Sequence, residues 1–380
     1  GIEKAVAVAG TDRAFDLVLT DYDMPRKTGF ELVHALKRDL RTRDVPIVML
    51  TARESRRDQA QMRAAGLTSY LVKPFGVDKC IAIVERVLAE ARLRRYKEAS
   101  RLYISAGGVR AAEDQAKGAM FAARAIEIDA TLLFSDVSGF TAMSSKMSAS
   151  QVIALMNAYF DEMCPVVVEH GGDIDKFIGD AIMALFGAPL PGEDHPLRAV
   201  RAALVARAVS EEVAAELRRA GKPSIETRIG VHTGLAVVGN MGSSKRFDYT
   251  AIGDTVNLAS RLEGANKAFG TGILVSETTW ARCAGEVLGR EVGRLAVKGR
   301  SEPLVVFEPL ALLGEATDEE LAAVAAHAAA IDAARRGDCE AARAAFARLA
   351  ALRPHDALVA LWHARLAEPD WDGVFRLDVK

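Results

Sequence analysis

Through the first quarter of the chain, short apolar runs alternate with amphipathic stretches. Phe15-Asp16-Leu17-Val18-Leu19-Thr20 reads as a buried strand ending at Asp21. Val45-Pro46-Ile47-Val48-Met49-Leu50 reads as a second, ending at Thr51, and Ser69-Tyr70-Leu71-Val72 as a third, ending at Lys73-Pro74. Helical periodicity fills the gaps, which predicts a parallel α/β sheet over residues 1–92. In such sheets chemistry gathers at the carboxyl ends of strands, where Asp21, Thr51 and Lys73 lie. Residues 93–125 are rich in Ala, Glu, Lys and Arg and lack a strand pattern, so a helical linker is expected, interrupted at Gly107-Gly108. Strand and helix patterns resume over 126–312, and 313–380 is an Ala-rich helical tail.

Composition changes this picture little. Half of the 380 residues are apolar and 26% are charged, as in ordinary globular chains, and the length suits two or three domains. A formal net charge of −2 gives no footprint for nucleic acid or an anionic membrane, so neither is expected as a partner. Cys80, Cys164, Cys283 and Cys339 are scattered without metal-ligand spacing, which predicts free thiols in a reducing, cytoplasmic setting. No apolar run approaches the roughly 20 residues of a membrane helix. In the tail, Gly337-Asp338-Cys339-Glu340-Ala341-Ala342, with Phe346 and Pro354-His355-Asp356, resembles one tetratricopeptide-type hairpin. One such unit is too small to stand alone, so it is expected to pack on a neighbour.

Three segments carry candidate chemistry. In the first, the apolar run Thr131–Phe134 leads to Asp136, and Ser138-Gly139 turns the chain into a helical stretch; such a strand–turn–helix aims backbone N–H groups at an anion. Taken alone, Asp136 reads equally well as a helix cap. In the second, Asp175–Ile178 and Ala181–Phe186 flank Gly179-Asp180, a hairpin signal that exposes Asp180, or places it there as ordinary turn chemistry. Two aspartates from strand ends suit Mg²⁺, which prefers a few carboxylates plus phosphate and water. In the third, Phe247–Thr250 and Gly253 precede a helix that Asp254 or Thr255 could cap. Asn257 and Arg261, four apart, share one face of it, with Val256, Ala259 and Leu262 on the packing side. The pair is a plausible sugar and phosphate clamp, or a common polar surface pair. Gly239–Lys245 reads as a flexible hairpin loop, and its spacing is wrong for a phosphate-binding P-loop.

Together, and in this order, the three motifs resemble the class III nucleotidyl cyclases, the adenylate and guanylate cyclases, over roughly residues 126–310. The resemblance implies a βαββαβ-type catalytic domain working as a head-to-tail homodimer. It implies two Mg²⁺ per site, replaceable by Mn²⁺, at Asp136, Val137 and Asp180 of one subunit, with Asn257 and Arg261 of the other acting in catalysis. Gly139, Phe140 and Thr141 would cradle phosphates, and Lys298 would bind the triphosphate. Lys176 and Thr250 match the purine-specifying pair; guanylate cyclases usually carry Glu at the Lys176 position, so ATP is favoured. The implied function is adenylate cyclase, a phosphorus–oxygen lyase making 3′,5′-cyclic AMP and pyrophosphate. The alternatives are a guanylate cyclase or an inactive nucleotide-binding signalling module.

Residues 1–92 resemble a response-regulator receiver domain through Leu19–Pro25 with Gly29, Met49–Ala52 and Tyr70–Phe75. The resemblance implies that Asp21 accepts a phosphoryl group from an upstream histidine kinase, that Lys73 pairs with the phosphate, and that Thr51 and Tyr70 form the switch. The match begins in the second helix of that fold, so the domain is expected to be N-terminally truncated. Without the acidic pair of the first strand, phosphorylation of Asp21 is expected to be weak. The expected fold class is thus α/β and α+β: a partial doubly wound receiver, a helical connector, a βαββαβ-type cyclase domain and a C-terminal helical hairpin.

Overall fold

The structure, a computed structural model, describes residues 15–25, 28–52, 64–100, 104–116, 125–189, 191–221, 224–243, 246–283, 285–297, 300, 302–368 and 370–376. The chain divides into two compact units, Gly1–Tyr103 and Ile104–Lys380.

The first unit contains β1 (Val18–Asp21), α1 (Gly29–Arg38), β2 (Ile47–Thr51), β3 (Ser69–Val72) and α2 (Val77–Ser100). The strands pair in parallel in the order β1-β2-β3. They end where the apolar runs end, so Asp21, Thr51 and Lys73 share one edge of the sheet. Thr28 and Glu31 form a capping box that starts α1, and Val33 and Leu36 of that helix bury against Ile47 and Met49.

The second unit runs α3 (Ala106–Ala116), β4 (Ile126–Ser138), α4 (Phe140–Ser144), α5 (Ala149–Glu169), β5 (Asp173–Ile178), β6 (Ala181–Phe186), α6 (His195–Arg219), β7 (Glu226–Ser243), β8 (Arg246–Ile252), α7 (Asp254–Phe269), β9 (Ile273–Ser276), α8 (Glu277–Ala281), β10 (Val287–Ala296) and β11 (Leu304–Leu312). It closes with α9 (Asp318–Arg335), α10 (Cys339–Leu352), α11 (Ala357–Arg365) and β12 (Val374–Arg376). Nine strands make one sheet in the order β12-β10-β11-β9-β7-β4-β6-β5, with β8 paired to the far end of β7. Alternation along β9 sends Ile273 and Val275 into the core under α5 and α6, and Leu274 into the core shared with α7 and the tail helices.

Four local expectations change. Gly107-Gly108 do not interrupt a helix; they lie in the first turn of α3. Residues 239–243 are not loop; they continue β7 and pair with 246–250 of β8, whose backbone supplies the hydrogen bonds that the Gly-rich sequence does not announce. Neither Asp254 nor Thr255 caps α7. Gly253 sits at the cap without a side-chain bond, Asp254 pairs with Arg300 at 3.0 Å, and Thr255 Oγ1 donates to the Leu235 carbonyl. The tail is not purely helical, since β12 adds a parallel edge strand beside β10. Its helices bury Phe346 and Trp362, stacked at 5.3 Å, against Phe269, Leu274 and Val292.

A buried chain of side chains crosses the sheet, from His195 through Thr131, Thr233, Thr279 and Ser276 to His232. Burial first, then the Arg300 charge, pushes His232 down to about 4, and burial first, then Arg290, pushes His327 down to about 4. Unfolded histidine titrates near 6.5, so between that value and about 4 the unfolded chain binds the extra protons. Stability is complete above this window and falls as pH is lowered through it. Replacing both histidines by Gln should flatten the acid decline of the thermal midpoint across that window. An unchanged slope would remove these two groups as its source.

Candidate active site

Asp136 sits near the end of β4, opposite Arg228 of β7 in register. Arg228 Nη2 donates to Asp136 Oδ2 at 3.0 Å, and its Nε lies 3.3 Å from Glu263 Oε1 of α7. All three side chains are largely buried. Val137 is buried beneath, and Gly139, at φ 73°, turns the chain without a side-chain cap into α4, where Phe140 packs on the core and Thr141 is exposed.

Asp180 occupies the turn between β5 and β6, where Gly179 takes φ 67°. Its carboxyl is pushed up to about 6, by burial first and then by the charge of Asp136, which also hydrogen-bonds it; backbone amides of Asp180 and Val137 pull the other way. Glu263 is pushed up to about 7, again by burial first and then by Asp136. The turn and the strand end therefore bring two carboxyls together beside a third, against one guanidinium.

Asn257 is exposed and Arg261 half-buried on α7, while Ala259 and Leu262 of the same helix are buried and Val256 is half-buried, as the periodicity predicts. Neither the Asn257 nor the Arg261 side chain has a hydrogen bond or ion pair among the described residues. Lys298 lies outside the described residues.

Lys176 and Thr250 converge from β5 and β8. Thr250 Oγ1 donates to Asp175 Oδ2, and Lys176 Nζ lies 3.8 Å from Asp175 Oδ1. Asp175 is the extra residue of a bulge: Ile174 pairs with Ala184 and Lys176 with Met183. Burial pushes its carboxyl up, and the Thr250 bond and the Lys176 charge pull it back. The same two strands carry the entry helix. Ala106 and Gly107 of α3 donate backbone N–H groups to Asp173 at 3.0 and 2.9 Å, and Gly107 lies against the Tyr249 ring.

The family described as the Adenylate and Guanylate cyclase catalytic domain matches residues 125–307, and the Response regulator receiver domain family matches residues 2–85. Residues 125–307 are a class III cyclase catalytic domain. The cyclase domain is 42% identical over 180 residues to Adenylate cyclase 1 of Rhizobium meliloti (strain 1021), which covers 47% of this chain and 27% of that protein. It is 38% identical over 184 residues to Adenylate cyclase of Anabaena cylindrica, covering 47% of this chain and 36% of that one. The chain thus spans about a quarter to a third of these relatives' length. A solved bacterial light-regulated adenylyl cyclase shares the fold at TM-score 0.53 and 22% identity, covering 64% of this chain and 70% of its own.

In the cyclase domain the donor set fits a hard divalent cation. Asp136 and Asp180 offer carboxylate oxygens side by side, and their mutual repulsion is what a cation would relieve. No cluster of three or more His, Cys, Asp or Glu side chains of metal-binding form occurs among the described residues. Sequence reading missed Arg228 and Glu263. Both sit in ordinary strand and helix patterns, and only the β4–β7 register and the docking of α7 place them beside Asp136.

In the receiver segment, Lys73 Nζ donates to Asp21 Oδ2 at 2.5 Å, and that bond, chiefly, holds the Asp21 carboxyl below its usual range. Thr51 is buried at the end of β2, and Tyr70 is half-buried in β3. No helix among the described residues is long and apolar enough to cross a membrane.

Proposed function

We propose that this chain is an adenylate cyclase whose two composite sites form between the cyclase domains of a head-to-tail homodimer. The reading rests on one observation above all. Asp136 and Asp180 are gathered in one place, while the Asn257 and Arg261 side chains have no hydrogen bond or ion pair among the described residues.

Asp136, Asp180 and the Val137 carbonyl would hold Mg²⁺, or Mn²⁺ in its place. Bound there, the ion supplies Lewis-acid charge that lowers the pKa of the ribose 3′-hydroxyl and offsets charge on the phosphates. The 3′-oxygen bonds to the α-phosphorus, the bond to the bridging oxygen breaks, pyrophosphate leaves, and the hydroxyl proton passes to water. Arg228 fixes the Asp136 carboxylate. Asn257 from the partner orients the ribose, and Arg261 meets the charge that builds on the α-phosphate oxygens. The turn at Gly139, Phe140 and Thr141 lies against the phosphates, with Lys298 on the triphosphate. Lys176 donates to the purine ring nitrogen, and Thr250 meets the 6-amino group. In the receiver segment, Asp21 is the phosphoacceptor for a histidine kinase, Lys73 its partner, and Thr51 and Tyr70 the switch.

Incubating the full chain with Mg²⁺ or Mn²⁺ and each triphosphate tests this directly. Cyclic AMP and pyrophosphate are expected from ATP, with GTP turned over at least about ten-fold less well. Chelation by EDTA should stop the reaction, and added Mg²⁺ should restore it. Cyclic GMP as the main product, or ATP binding without any cyclic product, would replace the reading.

A further inference from the structure

Asp175 has no place in the reading above, yet its position is a built one. Its side chain is 4% exposed, it stands at the bulge of β5, and Oδ1 has no hydrogen-bond partner among the described residues. Its Oδ2 takes the Thr250 hydroxyl, and Lys176 Nζ stands 3.8 Å from Oδ1. A hydroxyl has one hydrogen and two lone pairs, and an ionised carboxylate only accepts. Thr250 therefore spends its single hydrogen on Asp175. The other acceptor in reach, the Ala251 carbonyl, is 3.5 Å away.

We propose that Asp175 is a specificity-determining positioning residue that locks the Thr250 hydroxyl as an acceptor, so that the pocket takes a 6-amino purine and rejects a 6-oxo purine. This deepens the adenylate cyclase reading and rests on it. With the Thr250 hydrogen committed, the pocket presents one donor, the Lys176 ammonium, and one acceptor, the Thr250 lone pair. Adenine offers the complement: a ring nitrogen that accepts and an amino group that donates. Guanine and hypoxanthine offer the reverse, an N–H that donates and a 6-oxygen that accepts. A free threonine hydroxyl could rotate to serve either base. The bulge matters because strand neighbours ordinarily face opposite sides of a sheet, and here Asp175 and Lys176 serve the same corner.

The test compares ATP, purine riboside triphosphate (no 6-substituent) and inosine triphosphate (6-oxo) as substrates of the full chain. In the unaltered protein kcat/KM should fall in that order, ATP leading the unsubstituted analogue by about ten-fold. Asp175→Asn can turn an amide N–H toward the Thr250 oxygen and release the hydroxyl hydrogen. The lead of ATP should shrink to about two-fold, chiefly through KM, and inosine triphosphate should gain relative to ATP. Thr250→Val should lose the same discrimination, with Asp175→Asn adding nothing on top. A purely structural role for Asp175 would lower all three substrates alike, and that result overturns the proposal, as does an unchanged ratio. If the Asn variant does not fold, the unaltered protein still decides: inosine triphosphate used as well as ATP overturns it. If the unaltered protein prefers GTP, both this inference and the adenylate reading fall. If it prefers ATP and the Asn variant keeps the full ratio, only this inference falls.

Discussion

Two inactive variants, Asp136→Ala and Asn257→Ala, should recover about a quarter of the unaltered activity when mixed, if sites are shared across a two-fold dimer. Each homodimer of a variant has the same lesion in both sites, and each lesion should cost at least about a thousand-fold in kcat, as for loss of a metal ligand or a preorganised transition-state donor. In a heterodimer one site collects both lesions and the other none. Random exchange makes about half of the dimers mixed, each with one of two sites restored. The Asn257 side chain is exposed and makes no hydrogen bond among the described residues, so its truncation should leave folding alone. Asp136→Ala strips Arg228 of one partner but leaves Glu263 at 3.3 Å, so the strand end keeps half of its ion pairing. Asp180→Ala, on its exposed turn, should complement Asn257→Ala equally well. Absence of recovery in mixtures shown to contain heterodimers would end the shared-site reading.

The largest stability effect is expected at Arg290→Ala. Arg290 of β10 is 12% exposed and joins Glu308 of β11, at 2.8 Å, to Asp356, the residue that caps α11. Removing it leaves two buried carboxylates unpaired, at a cost of about 3–5 kcal/mol. For a unit of this size that lowers the thermal midpoint by about 10 °C. Trp280, Trp362 and Trp371 all lie in Ile104–Lys380, so tryptophan fluorescence follows this unit alone. Adding Glu308→Gln and Asp356→Asn to Arg290→Ala removes the stranded charges and should recover about half of the loss. A midpoint within about 2 °C of the unaltered chain for the single variant would mean that the carboxylates find water, and that the tail is not tied on by this pair.

Much of the fold was legible because its periods are clean. The strands ending at Asp21 and Thr51 and the packing face of α7 followed from apolar spacing alone. Strand-end and hairpin signals mark Asp136 and Asp180 locally, but spacing alone left each open to a cap or turn reading, and it was the resemblance that paired them. What escaped was set by pairing between distant segments. Arg228 and Glu263 become site residues only through the β4–β7 register and the docking of α7. Gly239–Ser243 looked like a loop because glycines and small residues break the strand pattern, yet β8 supplies their hydrogen bonds. The β12 edge strand has three residues, too few for any period to declare itself. Asp175 was visible only as one more acidic residue, and a bulge cannot be read from alternation that it interrupts.

The seating of α3 ties the way into the catalytic fold to the strands that carry Lys176 and Thr250. Two amides at the helix start quiet the half-buried Asp173, and Gly107 lies so near the Tyr249 ring that even a methyl group would collide with it. Asp173 and Tyr249 each stand within three residues of Lys176 and Thr250. Lifting that helix by one turn would strand a negative charge and open a gap beneath an aromatic ring, both beside the corner proposed to meet the nucleobase. The leading helix is thus a keystone for the Lys176–Thr250 corner rather than a tether.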